Sequence, residues 1–142
     1  MAFRVEYRIG IKATSDAIWE VLSDLESWGT WNPVHPKASG KIGIGQPLSV
    51  RETIAGLPER DFNATVVEWV PRQQLIWAEK RGFMSRSVRY FEIEELEPGS
   101  CIFAIGEIFE GALGEVEGKR TKRVRKAAFE QLAEALRAKV DG

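Results

Sequence analysis

Lys119-Arg-Thr-Lys-Arg-Val-Arg-Lys-Ala-Ala-Phe-Glu-Gln-Leu-Ala-Glu-Ala-Leu-Arg-Ala-Lys-Val140 runs almost to the end of a 142-residue chain. Val124, Ala128, Leu132, Ala135 and Leu136 recur in it at helical spacing, with Phe129 and Val140 flanking the stripe. From Glu117 onward there is no proline, and Gly118 is the last glycine before Gly142. The spacing predicts one long amphipathic helix of ~20 residues or more, about 30 Å at the standard rise. Such a stripe must be covered, and the residues upstream supply a sheet to cover it.

Phe3, Val5, Tyr7, Ile9 and Ile11 alternate with charged residues, which is the period of a half-buried strand. Thr14-Ser15-Asp16 offers N-cap chemistry for a short helix over residues 17–23, with Ile18, Val21, Leu22 and Leu25 on one face. Strand-like runs follow at residues 48–54, 62–70, 75–78, 88–96 and 102–109, and a glycine-rich, weakly specified one at 37–44. Gly56-Leu-Pro58, Pro71-Arg72, Gly82, Glu97-Pro98-Gly99 and Gly111 punctuate them. Connections this short make the sheet antiparallel. The expectation is a single α+β domain over residues 1–142. A curved antiparallel sheet of six or seven strands wraps the C-terminal helix, and two short helices follow the first strand. Trp28 and Trp31, around Gly29 and before Asn32-Pro33, carry large apolar area on a bent segment. They are expected to seal one end of the core or wall a hollow within it.

Formal net charge is −1, which argues against a nucleic-acid partner, since phosphate neutralisation needs a basic surface. Cys101 is the one cysteine, so no intramolecular disulfide forms, and a reducing, cytoplasmic setting is the simple reading. The first residues lack a signal-peptide core, and no apolar run approaches the ~20 residues of a spanning helix. One His and one Cys do not assemble the usual nitrogen and sulfur metal ligands, which leaves only an all-carboxylate site open. No nucleophile elbow, phosphate loop or dinucleotide glycine pattern is present, so no cofactor is expected. A homodimer is left open.

Ala13-Thr-Ser-Asp-Ala-Ile-Trp-Glu-Val-Leu-Ser-Asp24, Trp31-Asn-Pro33, Leu75-Ile-Trp77, Glu107-Ile-Phe-Glu-Gly111 and the terminal helix, in this order, resemble the START-like, Bet v 1-like superfamily (SRPBCC). Within it the chain is similar to the polyketide cyclase/dehydrase-like group. The resemblance implies a helix-grip fold with an apolar cavity between helix and sheet. Members bind lipids, polyketides, hormones or other hydrophobic small molecules, and some are cyclases or dehydratases. The fold serves many activities, so function rests on the site. Relatives often carry a His-x-Phe pattern where this chain has Ser85-Arg-Ser-Val-Arg-Tyr-Phe91, so a mechanism using that imidazole does not transfer.

Three side chains are candidate catalytic groups: His35, Glu107 and Tyr90. His35 is the only histidine, read either as an acid or base at a cavity mouth or as a loop surface residue. Glu107 is in phase with Phe103, Ile105 and Phe109, and if that phase faces inward its carboxyl pKa should rise. The other phase, Ile102, Ala104, Gly106 and Ile108, is equally apolar. Glu52, Glu68 and Glu79 end apolar phases and read as rim residues. Trp28, Trp31, Trp69, Trp77, Phe83, Phe91, Phe109 and Phe129 are candidate ligand walls, though core packing has the same composition. The basic run 119–126 reads as a helix start whose charge Glu107, Glu110, Glu115 and Glu117 largely cancel. Three functions stay open. The first is binding of a hydrophobic or amphipathic small molecule, the second a cyclase or dehydratase using a cavity carboxylate, the third a chaperone-activator-like interaction domain.

Overall fold

The computed structural model describes residues 2–141. Strand β1 (Ala2–Ile11) leads to helix α1 (Ser15–Ser23) and a 3-10 segment (Leu25–Thr30). Six strands follow: β2 (Lys37–Gly40), β3 (Pro47–Glu52), β4 (Arg60–Val70), β5 (Gln74–Gly82), β6 (Ser85–Glu97) and β7 (Ser100–Glu110). Helix α2 (Ala112–Asp141) closes the chain. The sheet is wholly antiparallel, in the order β1-β7-β6-β5-β4-β3-β2. This is the helix-grip α+β architecture expected from the order of elements.

Sequence chemistry explains the joints. Thr14 caps α1, its hydroxyl oxygen accepting from the Ala17 N–H at 3.1 Å. Asn32 sets the exit from the 3-10 segment: its side-chain oxygen accepts from the N–H groups of Val34 (3.0 Å) and His35 (2.8 Å). The first strand returns to the last, with Ala2 opposite Glu110 and Ile11 opposite Cys101. A register shift between Val66 and Glu68 bends β4, which helps the sheet curl around the helix.

Helix α2 lies against β1, β7 and β6. Ala128, Phe129, Leu132, Ala133 and Leu136 bury its inner face, and Phe91, Phe103, Ile105 and Phe109 meet it from the sheet. Thus Phe103, Ile105, Glu107 and Phe109 form the inward phase of β7. The helix starts at Ala112, earlier than the expected onset at Glu117. Its first turns carry Gly114 and Gly118. In the fold both are buried, Gly118 tightly against the Phe109 and Phe3 rings and Gly114 against Ser85 and Arg86.

Trp28 is fully buried, and its indole N–H donates to the Leu22 carbonyl at 3.0 Å. Its ring lies 6.0 Å from Trp77 and 5.7 Å from Phe91, so this indole is core, with Trp31 packed edge-on against it and half-exposed. No helix among the described residues is long and apolar enough to cross a membrane.

A Cβ at Gly118 would lie 2.7 Å from the Phe109 ring and 3.0 Å from that of Phe3. Helix propensity alone favours alanine over glycine by about 1 kcal/mol. Gly118→Ala is nevertheless expected to lower stability, by about 1–3 kcal/mol, because the added methyl overpacks this contact. Chemical denaturation measures it, and a stabilised variant would show that the rings yield freely.

Candidate functional site

The centre of the grip holds charge. Arg89 of β6, Arg125 of α2, Glu52 of β3 and Glu107 of β7 are each almost wholly buried, between 1% and 3% exposed. Glu107 Oε1 accepts from Arg89 Nη2 at 2.9 Å and from Arg125 Nη1 at 3.4 Å. Glu52 Oε1 accepts from the same two nitrogens at 3.5 and 3.3 Å. Around this square lies a second ring of partners. Arg60 donates to Glu52 and Glu79, Arg81 to Glu79 and Glu117, and Arg125 Nη2 to Glu117 at 3.1 Å. Arg125 Nε is held by the Thr121 hydroxyl at 2.8 Å. Four guanidiniums therefore face four carboxylates, which is how charge survives away from water.

His35 joins this cluster from the loop after the tryptophans and is fully buried. Its partners fix the tautomer. Nδ1 carries the proton and donates to the Arg51 carbonyl at 3.3 Å, while Nε2 accepts from Arg89 Nη1 at 2.6 Å. Burial, reinforced by the Arg89 charge, lowers its pKa to about 3, so the ring is neutral. The surface-loop reading of His35 is thereby overturned: Trp28 stacks on the imidazole at 5.8 Å and Trp77 meets it edge-on at 5.7 Å.

Two charge expectations are also corrected. Burial alone would raise the Glu107 carboxyl, but the adjacent Arg89 and Arg125 guanidiniums outweigh it and hold its pKa below the usual value. Glu107 is an ionised acceptor, not an acid with a raised pKa. Glu52 and Glu79, read as rim residues, are buried because arginines from other strands reach them; Glu68 alone is exposed. For Glu52 the desolvation penalty is outweighed by Arg89 and Arg60, which bring its pKa down to about 2.

The candidate wall residues divide. Phe129 lies under the Arg89 guanidinium at 4.9 Å and Phe109 under that of Arg125 at 5.0 Å, both cation–π contacts. Trp77 and Phe91 line the same region with Trp28. The space expected to be an apolar hollow is thus a charged centre within aromatic walls. Trp69 lies apart from it, its ring 6.4 Å from and parallel to that of Trp19 on α1. Phe83 sits in the β5–β6 turn, 81% exposed. Tyr90 faces the opposite side of the sheet, covering Gly106 and donating to Glu6, with Arg4 over its ring. Burial and the Glu6 carboxylate raise its pKa, so it is a neutral phenol remote from the ionic centre.

Arg89 and Arg125 were not singled out from the sequence. Arg89 alternates in phase with Ser87, Phe91 and Ile93, which marks an inward residue. Arg125 falls on the same helical face as Gly114, Gly118, Thr121 and Phe129, and its small neighbours make room for it. That face was hidden in the basic run.

A family model described as polyketide cyclase / dehydrase and lipid transport matches residues 2–141. The chain belongs to this family. Comparison by sequence with curated proteins gives no match. Among solved structures, a START superfamily protein from Mycobacterium smegmatis aligns at TM-score 0.76 with 23% identity, over 97% of both chains. The Zhui aromatase/cyclase from Streptomyces sp. R1128 aligns at 0.74 with 14% identity, over 99% of this chain and 94% of that one. Norcoclaurine synthase from Thalictrum flavum aligns at 0.72 with 13% identity, over 99% and 94%. At these identities the structural likenesses show the shared fold.

The ionic centre makes stability pH-dependent with a defined sign. Native His35 stays neutral to about pH 3, whereas the unfolded ring takes a proton near 6.5. Between these values the unfolded chain binds more protons, so acidification destabilises the fold. Glu52 adds the same sign between 4.5 and about 2. Thermal melts should fall as pH drops from 6.5 to 4.5, with a limiting slope of about 1.4 kcal/mol per pH unit from one proton. His35→Gln should flatten that slope; an unchanged slope would place the acid sensitivity elsewhere.

Proposed function

We propose that this chain binds a hydrophobic or amphipathic small molecule between α2 and the curved sheet. The polar group of the ligand is held by Arg89, Arg125, Glu52 and Glu107, and its apolar part by Trp28, Trp77, Phe91, Phe109 and Phe129. One observation carries this reading: a cluster of buried ions at the centre of a domain whose other inward positions are mostly apolar. A core of hydrophobic residues would serve stability as well or better, so such a cluster points to use. The Nε atoms of Arg89 and Arg81 are buried with no hydrogen-bond partner among the described residues, which supplies donors for a guest. Membership of the family supports the same class of ligand. A guest enters by exchanging its own polar contacts for some of those between the charges.

A second reading, a cyclase- or dehydratase-type enzyme, is favoured by His35. A neutral imidazole whose Nε2 lone pair is engaged only by Arg89 becomes a base once a ligand draws that guanidinium away. Glu107, held ionised, would then orient the substrate, and Tyr90 takes no part.

Native mass spectrometry of the purified protein is expected to reveal a co-purifying small molecule, which organic extraction then identifies. Arg89→Met should lower the melting temperature, because it leaves Glu107 with fewer partners. At a temperature where circular dichroism shows the variant folded, it should weaken binding of that molecule at least about tenfold, the loss of a charge-assisted contact. Unchanged affinity would remove the ionic centre from the binding site. His35→Gln separates the two readings: a carrier keeps its ligand and has nothing to lose, whereas an enzyme retains binding and stops converting it.

A further inference from the structure

The basic run of α2 is only partly neutralised by the acids near it in sequence. Glu107 and Glu117 are committed to the interior arginines, and Glu110 pairs with Arg86. Glu115 pairs with Lys119 at 3.1 Å. Arg120, Lys122, Arg123 and Lys126 are exposed and have no carboxylate within salt-bridge distance among the described residues. A chain of net charge −1 therefore concentrates unpaired positive charge on one face.

Apolar side chains continue that face. Leu113 and Val116 are 53% and 61% exposed, and with Arg120 and Arg123 they recur at spacings of three and four on the outward side of α2. The turn joining β5 and β6 lies beside them, since the N–H groups of Leu113 and Gly114 donate to the Met84 carbonyl at 3.1 and 3.2 Å. That turn exposes Phe83 and Met84, at 81% and 52%. Isolated exposed apolar residues need no explanation, but four together beside a basic stripe do.

We propose that this end of the molecule docks onto a lipid bilayer carrying anionic headgroups. Phe83, Met84, Leu113 and Val116 enter the interface, while Arg120 and Arg123 with their basic neighbours rest on the headgroups. The combination selects the partner class. A polyanion such as nucleic acid would use the cations and leave the apolar group in water, and an uncharged apolar partner would leave the cations unmatched. The proposal does not depend on what the interior binds, because none of these residues contributes to the ionic centre.

Co-sedimentation of the full chain with vesicles tests it. Binding is expected to mixed phosphatidylcholine/phosphatidylglycerol vesicles and to fall steeply with added salt, with little binding to phosphatidylcholine alone. Phe83→Asp and, separately, the pair Arg120→Glu and Arg123→Glu should each reduce binding at least about tenfold. All sites are exposed, so circular dichroism should show the fold unchanged. Failure to bind the mixed vesicles, or equal binding to both kinds, overturns the proposal. So does loss in the charge-reversed pair with no loss in Phe83→Asp, which would describe a polyanion site. Retention of any co-purified interior ligand in these variants separates this outcome from the function proposed above.

Discussion

Arg89 and Arg125 meet above a single carboxylate oxygen of Glu107, and the rest of the interior is arranged around that meeting. Taking these groups from water is costly, and only close partners recover the loss. Each carboxylate in the cluster is therefore shared by two or more guanidiniums, and the guanidiniums bridge strands β3, β5, β6, β7 and the helix. Removing any one partner strands a buried charge, a change that typically costs 3–5 kcal/mol, roughly, where it has been compared with neutral replacements. The same interdependence fixes His35: the guanidinium on its Nε2 and the carbonyl at its Nδ1 leave one tautomer and one charge state.

The aromatic rings complete this arrangement electrostatically as well as sterically. Phe109, Phe129 and Trp77 present faces to Arg125 and Arg89, so the walls of the grip attract the charges they enclose. A purely apolar lining would only exclude water. This one also holds guanidinium planes in fixed orientations, which is the preorganisation a recognition site requires.

Much of the scaffold was legible in the chain, because the two periodicities that matter are long and clean. Residues 3–11 alternate, and the stripe through Leu132 and Leu136 repeats at helical spacing; both features appear where the pattern put them. The start of α2 was not legible, since the helical stripe begins only after Gly118, and what calls for that glycine inside a helix is the close approach of Phe109 and Phe3. The phase of β7 was ambiguous because both of its faces are covered, one by α2 and the other partly by Tyr90 over Gly106. The site was the least legible part. Glu52 ends an apolar phase as a rim residue would, Glu107 lies in one of two equally apolar phases, and Arg125 is one cation among many. Their pairing is a property of distant residues brought together, and no local rule encodes it.

The neighbour of β1 has a further consequence. Residues 2–11 form the edge beside β7, opposite residues 101–110, so the first strand of this domain pairs only with its last. While the polypeptide is still emerging from the ribosome, β2 to β6 can pair as successive hairpins, but the slot for the N-terminal strand does not exist until β7 is out. The unpaired strand must stay available throughout, with its charged residues keeping it in solution. Assembly of this domain is consequently gated by the completion of its own C-terminal half, and a product truncated before β7 would leave β1 unpaired and β6 without its second neighbour.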